Sequence, residues 1–122
     1  MSALRKLGSD DRGAAAVEVA LIAPMFFALL FGALQGGLAF WTQLGLQQAV
    51  DRAARCAVVN ATLCGASDRL QSYAATQALS AGIPAATFIL TTESCGKAVT
   101  ASTNRSLMGV TLNLSAKSCF PS

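Results

Sequence analysis

The sequence predicts an α+β protein: a long N-terminal α-helix that spans a membrane, then a small disulfide-linked head with a short helix and about three antiparallel strands. Three features carry that prediction. The sixteen residues from Val19 to Leu34 hold no charge. All four cysteines come after this run. Beyond Asn60 the apolar spacing changes from a helical period to strand-like runs.

Residues 1–13 read as a short polar leader, in which Arg5, Lys6 and Arg12 stand against Asp10 and Asp11. The apolar run, extended to Ala14 on one side and Trp41 on the other, supplies the ~20 residues that a bilayer core requires. The spanning part is placed at about residues 17–41. Basic residues precede it, so the leader is expected in the cytoplasm and the rest on the far side, with Phe40 and Trp41 at the outer interface. The run is long for a secretory signal and no Ala-x-Ala site follows it, so it is expected to stay attached.

Helical spacing continues past the interface. Leu38, Trp41, Leu44, Leu46, Val50, Ala53, Ala54 and Ala57 recur at roughly 3.6 residues, while Asp51 and Arg55, four apart, share another face. A single helix from Ala14 to Val59 is expected, and its apolar stripe needs a partner.

Residues 60–122 form the extracytoplasmic head. A second helix is expected from Ser67 to Ser80, with Leu70, Tyr73, Ala74, Gln77 and Ala78 on one face and Gly82 and Pro84 as its stop. Runs rich in Thr, Val, Ile and Leu at Thr87–Thr92, Ala98–Thr103 and Val110–Ala116 read as strands.

Cys56, Cys64, Cys95 and Cys119 are separated by seven, thirty and twenty-three residues. That is not the short paired spacing of a zinc site, and the chain has no His to complete one. Two disulfides in an oxidising compartment fit better, because a small head with little core gains most from cross-links. Of the three connectivities, Cys56 with Cys64 and Cys95 with Cys119 is favoured, since each pair joins neighbouring segments.

Composition also bounds function. The net charge of +3 is scattered, and the basic residues are not interleaved with aromatics, which speaks against a nucleic-acid surface. No Ser, Cys or carboxylate sits in a recognisable nucleophile or acid-pair context, and the commonest general base is absent. No catalytic residue, metal, cofactor or small-molecule substrate is expected. Asn60-Ala-Thr62, Asn104-Arg-Ser106 and Asn113-Leu-Ser115 match the glycosylation acceptor pattern, which carries weight only in a eukaryotic secreted protein.

Glu18 is the exception in the apolar helix. A carboxylate there costs ~2.5–3.5 kcal/mol at the membrane centre and less near an interface, so it calls for a partner. No Lys or Arg follows within two turns. Cutting after Gly13 would give Ala14 a free α-amine and make Glu18 the fifth residue, in the first turns of a helix, where the backbone dipole also favours a negative charge.

The run Arg12-Gly13-Ala14-Ala15-Ala16-Val17-Glu18, followed by Ala20-Leu21-Ile22-Ala23-Pro24, resembles type IV prepilins, and in particular the TadE-like pseudopilins of the tight-adherence (Flp) pilus system. The likeness extends through Phe40-Trp41, Leu46-Gln47-Gln48-Ala49 and Asp51-Arg52-Ala53-Ala54-Arg55, covering residues 10–57. Val19 departs from it, because the family usually has Phe after the Glu.

The resemblance implies a pilin-like fold and cleavage between Gly13 and Ala14 by a prepilin peptidase. It also implies an assembly ion pair between Glu18 and the α-amine of Ala14, in the same or a neighbouring copy. Pro24, Gly32 and Gly36 are the candidate helix-packing positions, the last two forming a G-x-x-x-G. A head of some sixty residues suggests a minor pilin rather than the bulk subunit. Its expected partners are other pilin subunits, the assembly machinery and the bacterial inner membrane, with later passage into an extracellular pilus that serves surface adhesion. The alternative is a single-pass anchored extracytoplasmic binding protein, not cleaved at Gly13, that never enters a filament.

Overall fold

The computed structural model describes residues 11–122, with side chains from residue 13 onward. Residues 1–10, most of the assigned leader, lie outside the described residues. The elements are α1 (Asp11–Val59), α2 (Ala61–Cys64), α3 (Ser67–Ser80), β1 (Ala86–Glu93), β2 (Gly96–Leu107) and β3 (Val110–Phe120), the α+β arrangement read from the sequence. The chain divides into two compact units, one ending at Gly36 and the other Gly37–Ser122.

Within the first unit the helix runs through Pro24. That residue cannot donate to the carbonyl four positions earlier, so Ala20 loses its usual intrahelical donor.

The second unit takes in the rest of α1, whose buried face is Thr42, Gly45, Leu46, Ala49, Val50, Ala53, Ala54 and Ala57. Leu38, Trp41 and Leu44 are exposed, which corrects the apolar stripe read from the sequence. That stripe merged two faces, because Trp41 and Leu44 are rotated away from the Thr42–Leu46–Ala49 line that meets the core.

Helix α3 runs back along α1. Gly45 sits against its C-terminal end, where an added Cβ would lie 3.0 Å from the Ala81 Cβ and 3.3 Å from the Ile83 Cδ1. Leu70, Ala74 and Ala78 face inward. The helix closes with Ile83 N–H donating to the Ala78 carbonyl and Gly82 N–H to that of Leu79. Gly82 takes φ +80°, the left-handed stop that glycine supplies without a Cβ clash.

The one-turn helix α2 was not read from the sequence. Asn60 caps it by accepting from the Leu63 N–H at 3.2 Å, and the Cys56–Cys64 disulfide closes the turn.

The sheet is an antiparallel meander in the order β1-β2-β3. Phe88, Val99, Ala101 and Ala116 carry it onto the helices. Strands β2 and β3 run on beyond the expected ends, because the hairpin between them stays paired out to Leu107 opposite Val110. Gly96 opens β2 at φ +126°, where a Cβ would strike the Phe120 carbonyl; only glycine fits. Beside it the Cys95–Cys119 disulfide ties the β1–β2 turn to the end of β3.

Side-chain amides cover part of both sheet edges. Gln71 of α3 donates to the Ala86 carbonyl at 3.3 Å and accepts from the Phe88 N–H at 2.7 Å, so its amide stands in for a neighbouring strand. On the other edge, Gln43 and Gln47 of α1 donate to the carbonyls of Ser115 and Lys117 at 2.8 and 3.4 Å. Covered edges do not recruit a foreign strand.

Eight of the fifteen residues in the core cluster are alanine, so little apolar area is buried per residue and cross-links matter correspondingly. Replacing Cys95 and Cys119 together by Ser should lower stability by about 3 kcal/mol, from the chain entropy of the loop it closes. The shorter Cys56–Cys64 loop should matter less, and urea unfolding of the full chain in detergent followed by circular dichroism checks both. Gln71→Leu should cost about 1–3 kcal/mol, because it strands the part-buried groups of Ala86 and Phe88. Accelerated hydrogen exchange at the Phe88 amide is its specific signature.

Candidate assembly surface

Gly13, Ala14 and Glu18 lie on the first two turns of α1. The helix begins at Asp11, three residues before the expected start, so the bond joining Gly13 to Ala14 is within the first turn of the uncut chain. Among the described residues, a Cβ built on Gly13 meets nothing within 4 Å.

Glu18 is exposed. Its neighbours one turn away on the helix are Ala14, Ala15, Leu21 and Ile22, none of which offers a side-chain cation. Among the described residues the ion pair is Lys117 with Glu93 at 2.7 Å, on the exposed surface of the sheet. The acid therefore sits one turn from the position where a cut would create an amine.

From Val17 to Leu34 every large apolar side chain is at least 40% exposed. Phe26 meets Phe27 edge to face at 5.9 Å, and Phe27 stacks with Phe31 at 6.4 Å, forming an aromatic ridge. Gly32 and Gly36 share a face one turn apart, and neither has any atom within 4 Å of a built Cβ. Such a strip lets a second helix approach closely. A water-soluble surface does not carry so much contiguous apolar area. The helix is long and apolar enough to cross a membrane.

The Gly37–Ser122 unit carries a groove of mixed polar and apolar lining. Trp41, Leu44, Gly45, Gln48 and Arg52 of α1, with Gln77, Ser80 and Ala81 from the end of α3, line this groove, of about 340 Å³. Trp41 is 70% exposed on its wall. Arg52 closes one end by donating to the Gln77 Oε1 at 2.9 Å. Sequence reasoning did not find this groove, because it read Trp41 as an interfacial anchor and placed Trp41 and Leu44 on one apolar stripe with the core residues. It also missed Gln43, Gln47 and Gln71 as edge caps; no local pattern marks a glutamine whose partner lies in a distant strand.

The four cysteines pair as Cys56–Cys64 and Cys95–Cys119. Among the described residues no group of His, Cys, Asp or Glu is placed to hold a metal ion.

A family model described as TadE-like protein matches residues 13–55. No curated protein matches the chain, and no solved structure does. The matched segment starts at Gly13, takes in Glu18 and the exposed apolar helix, and ends on the α1 face that holds the sheet and α3. Residues 13–55 of this chain are thus similar to the TadE-like family, and a disulfide-linked α+β head follows them.

Proposed function

We propose that the protein is a minor pilin of a tight-adherence pilus, processed by a prepilin peptidase after Gly13. It waits in the bacterial inner membrane with its N-terminus in the cytoplasm and its head in the periplasm. It then enters the pilus, or helps to assemble it, and the pilus serves surface adhesion. The observation that carries this reading is the TadE-like match beginning at Gly13, together with an exposed acid one turn beyond.

In the uncut chain the Ala14 nitrogen is a neutral amide. Cleavage turns it into an α-ammonium group whose unperturbed pKa of ~8 leaves it largely charged at neutral pH. The Glu18 carboxylate then gains a partner, in its own chain or in a neighbouring copy. A charge-assisted pair in a low-dielectric setting also has the geometric demands needed to set the axial register of adjacent subunits. The open strip at Gly32 and Gly36 supports close packing of helices around that contact, and a neighbouring helix can satisfy the carbonyl freed by Pro24. The partners are thus the peptidase, other pilin subunits and the assembly machinery; the chain itself acts as a structural subunit and not as an enzyme.

One observation favours the anchor alternative: the bond to be cut is helical in the uncut chain, and a protease must first unwind it. Being in the first turn, it lacks most of the hydrogen bonds that hold an interior turn, so opening it is inexpensive.

Mass spectrometry of the protein extracted from membranes of cells with an active prepilin peptidase should give a mature chain starting at Ala14. Gly13→Leu should retain residues 1–13. Glu18→Ala should be cut normally yet enter sheared filaments at about a tenth of the wild-type yield or less, the loss expected for a charged hydrogen bond of ~1.5–3 kcal/mol. A wild-type chain that keeps its first thirteen residues, or a Glu18→Ala chain that assembles at full yield, is incompatible with the proposal.

A further inference from the structure

The β2–β3 hairpin outruns its sheet. Strand β1 pairs with β2 only as far as Ala86 opposite Thr103, whereas β2 and β3 continue to Leu107 opposite Val110. Residues 104–113 are therefore a two-stranded ribbon with two unlike faces. One carries Asn104, Ser106, Thr111 and Asn113. The other carries Arg105, Leu107, Val110 and Leu112, and continues the face that farther along the sheet presents Thr103, Ala101 and Ala116 to the core. Here its cover is only partial: Arg105 and Leu107 are half-buried, and Val110 at the tip is 62% exposed.

The tip is unusual in itself. Met108 and Gly109 form a two-residue turn with φ of +50° and +81°. Positive φ at both positions is the arrangement that favours Asn, Asp or Gly at the first. Methionine bears strain there, yet its side chain is 73% exposed and makes no contribution to the core. A strained residue that the fold does not use points to a contact outside the fold.

The direction of the ribbon says where that contact lies. Gln43 and Gln47 bond the carbonyls of Ser115 and Lys117, so β3 advances in the same sense as α1. Following β3 back from Ser115 to Val110 covers ~17 Å at ~3.3 Å per residue. Following α1 back from Gln43 to Gly37 covers ~9 Å at ~1.5 Å per residue. The tip thus lies toward the end of the unit at which the chain enters from the apolar segment, the end where Leu38, Phe40 and Trp41 are also exposed. The ribbon itself, residues 104–113, carries Arg105 and no Asp or Glu. That charge suits an anionic headgroup layer.

We propose that the ribbon tip, Leu107 to Val110, dips into the surface of an anionic bilayer, giving the head a membrane contact of its own while the subunit waits for assembly. The contact rests on the reading that the apolar part of α1 spans a bilayer. Met108 supplies a flexible apolar wedge, Leu107 and Val110 flank it, and Arg105 reaches the headgroups from the same face.

The full chain, reconstituted into vesicles of phosphatidylethanolamine and phosphatidylglycerol, tests this. An environment-sensitive fluorophore is attached, after the native disulfides have formed, to Met108→Cys, Phe27→Cys or Asp68→Cys. The Met108→Cys probe should emit to the blue and be quenched by shallow acyl-chain spin labels. The probe at position 27 should be quenched by deep ones, and that at 68, in the first turn of α3, should behave as in water. Water-like emission at 108 with deep quenching at 27 overturns the ribbon contact and leaves the spanning helix standing; water-like emission at both overturns the two together. A blue shift at 108 without lipid quenching, the mark of a contact with another copy, also overturns it. With the probe moved to Val110→Cys, Met108→Asn should shift emission back toward water while keeping or raising the thermal midpoint, and Met108→Leu should leave the emission shifted. Unaltered lipid quenching in the Met108→Asn chain removes the proposed role of that side chain.

Discussion

One face of α1, from Thr42 to Ala57, is what the head is built on. Its alanines let α3 and the sheet approach the helix closely, and Gly45 admits the end of α3 where any side chain would press on Ala81 and Ile83. The glutamines flanking that face, Gln43 and Gln47, hold the outer edge of β3. Core contact and edge cover therefore share one helical phase. A rotation that moved Leu46 out of the core would also pull both glutamines off the strand.

That arrangement makes one helix serve two environments. From Val19 to Val50 the sequence carries no charge at all, so hydropathy alone does not separate the part that needs lipid or another helix from the part that has its own cover. What differs is the partner: from Thr42 onward, side chains on one face are buried by α3 and the sheet, while every large apolar side chain from Val17 to Leu34 stands open. The small core this leaves is compensated covalently. One disulfide closes the turn after α1, and the other binds the hairpin turn before β2 to the end of β3.

In the proposed function, Glu18 links this architecture to assembly. An isolated carboxylate in an apolar helix is a standing cost, and the proposed cut relieves it by creating the missing charge one turn away. Maturation then changes the electrostatics of the helix end without altering the head. The head can fold and form its disulfides before the N-terminal segment acquires its docking charge, which separates folding from assembly in time.

Much of this was legible in the sequence. Period and breakers located the helices: the 3.6-residue spacing gave α1 to Val59, and Gly82 with Pro84 gave the end of α3. β-branched runs located the three strands, and adjacency in the chain selected the disulfide pairing that the structure has. Gly13, Ala14 and Glu18 were singled out by their spacing along one helix, and the proposed function rests on that spacing. The sequence did not show which face of α1 is buried, since apolar residues lie on more than one side and only α3 and the sheet select among them. Nor did it show the work of Gln43, Gln47 and Gln71, whose partners lie in strands 15 to 72 residues away. The reach of the β2–β3 ribbon past β1 was likewise hidden, because pairing length is set by the register between strands. Local pattern fixes what a segment can become; which of its faces and edges are covered depends on contacts that only the folded chain brings together.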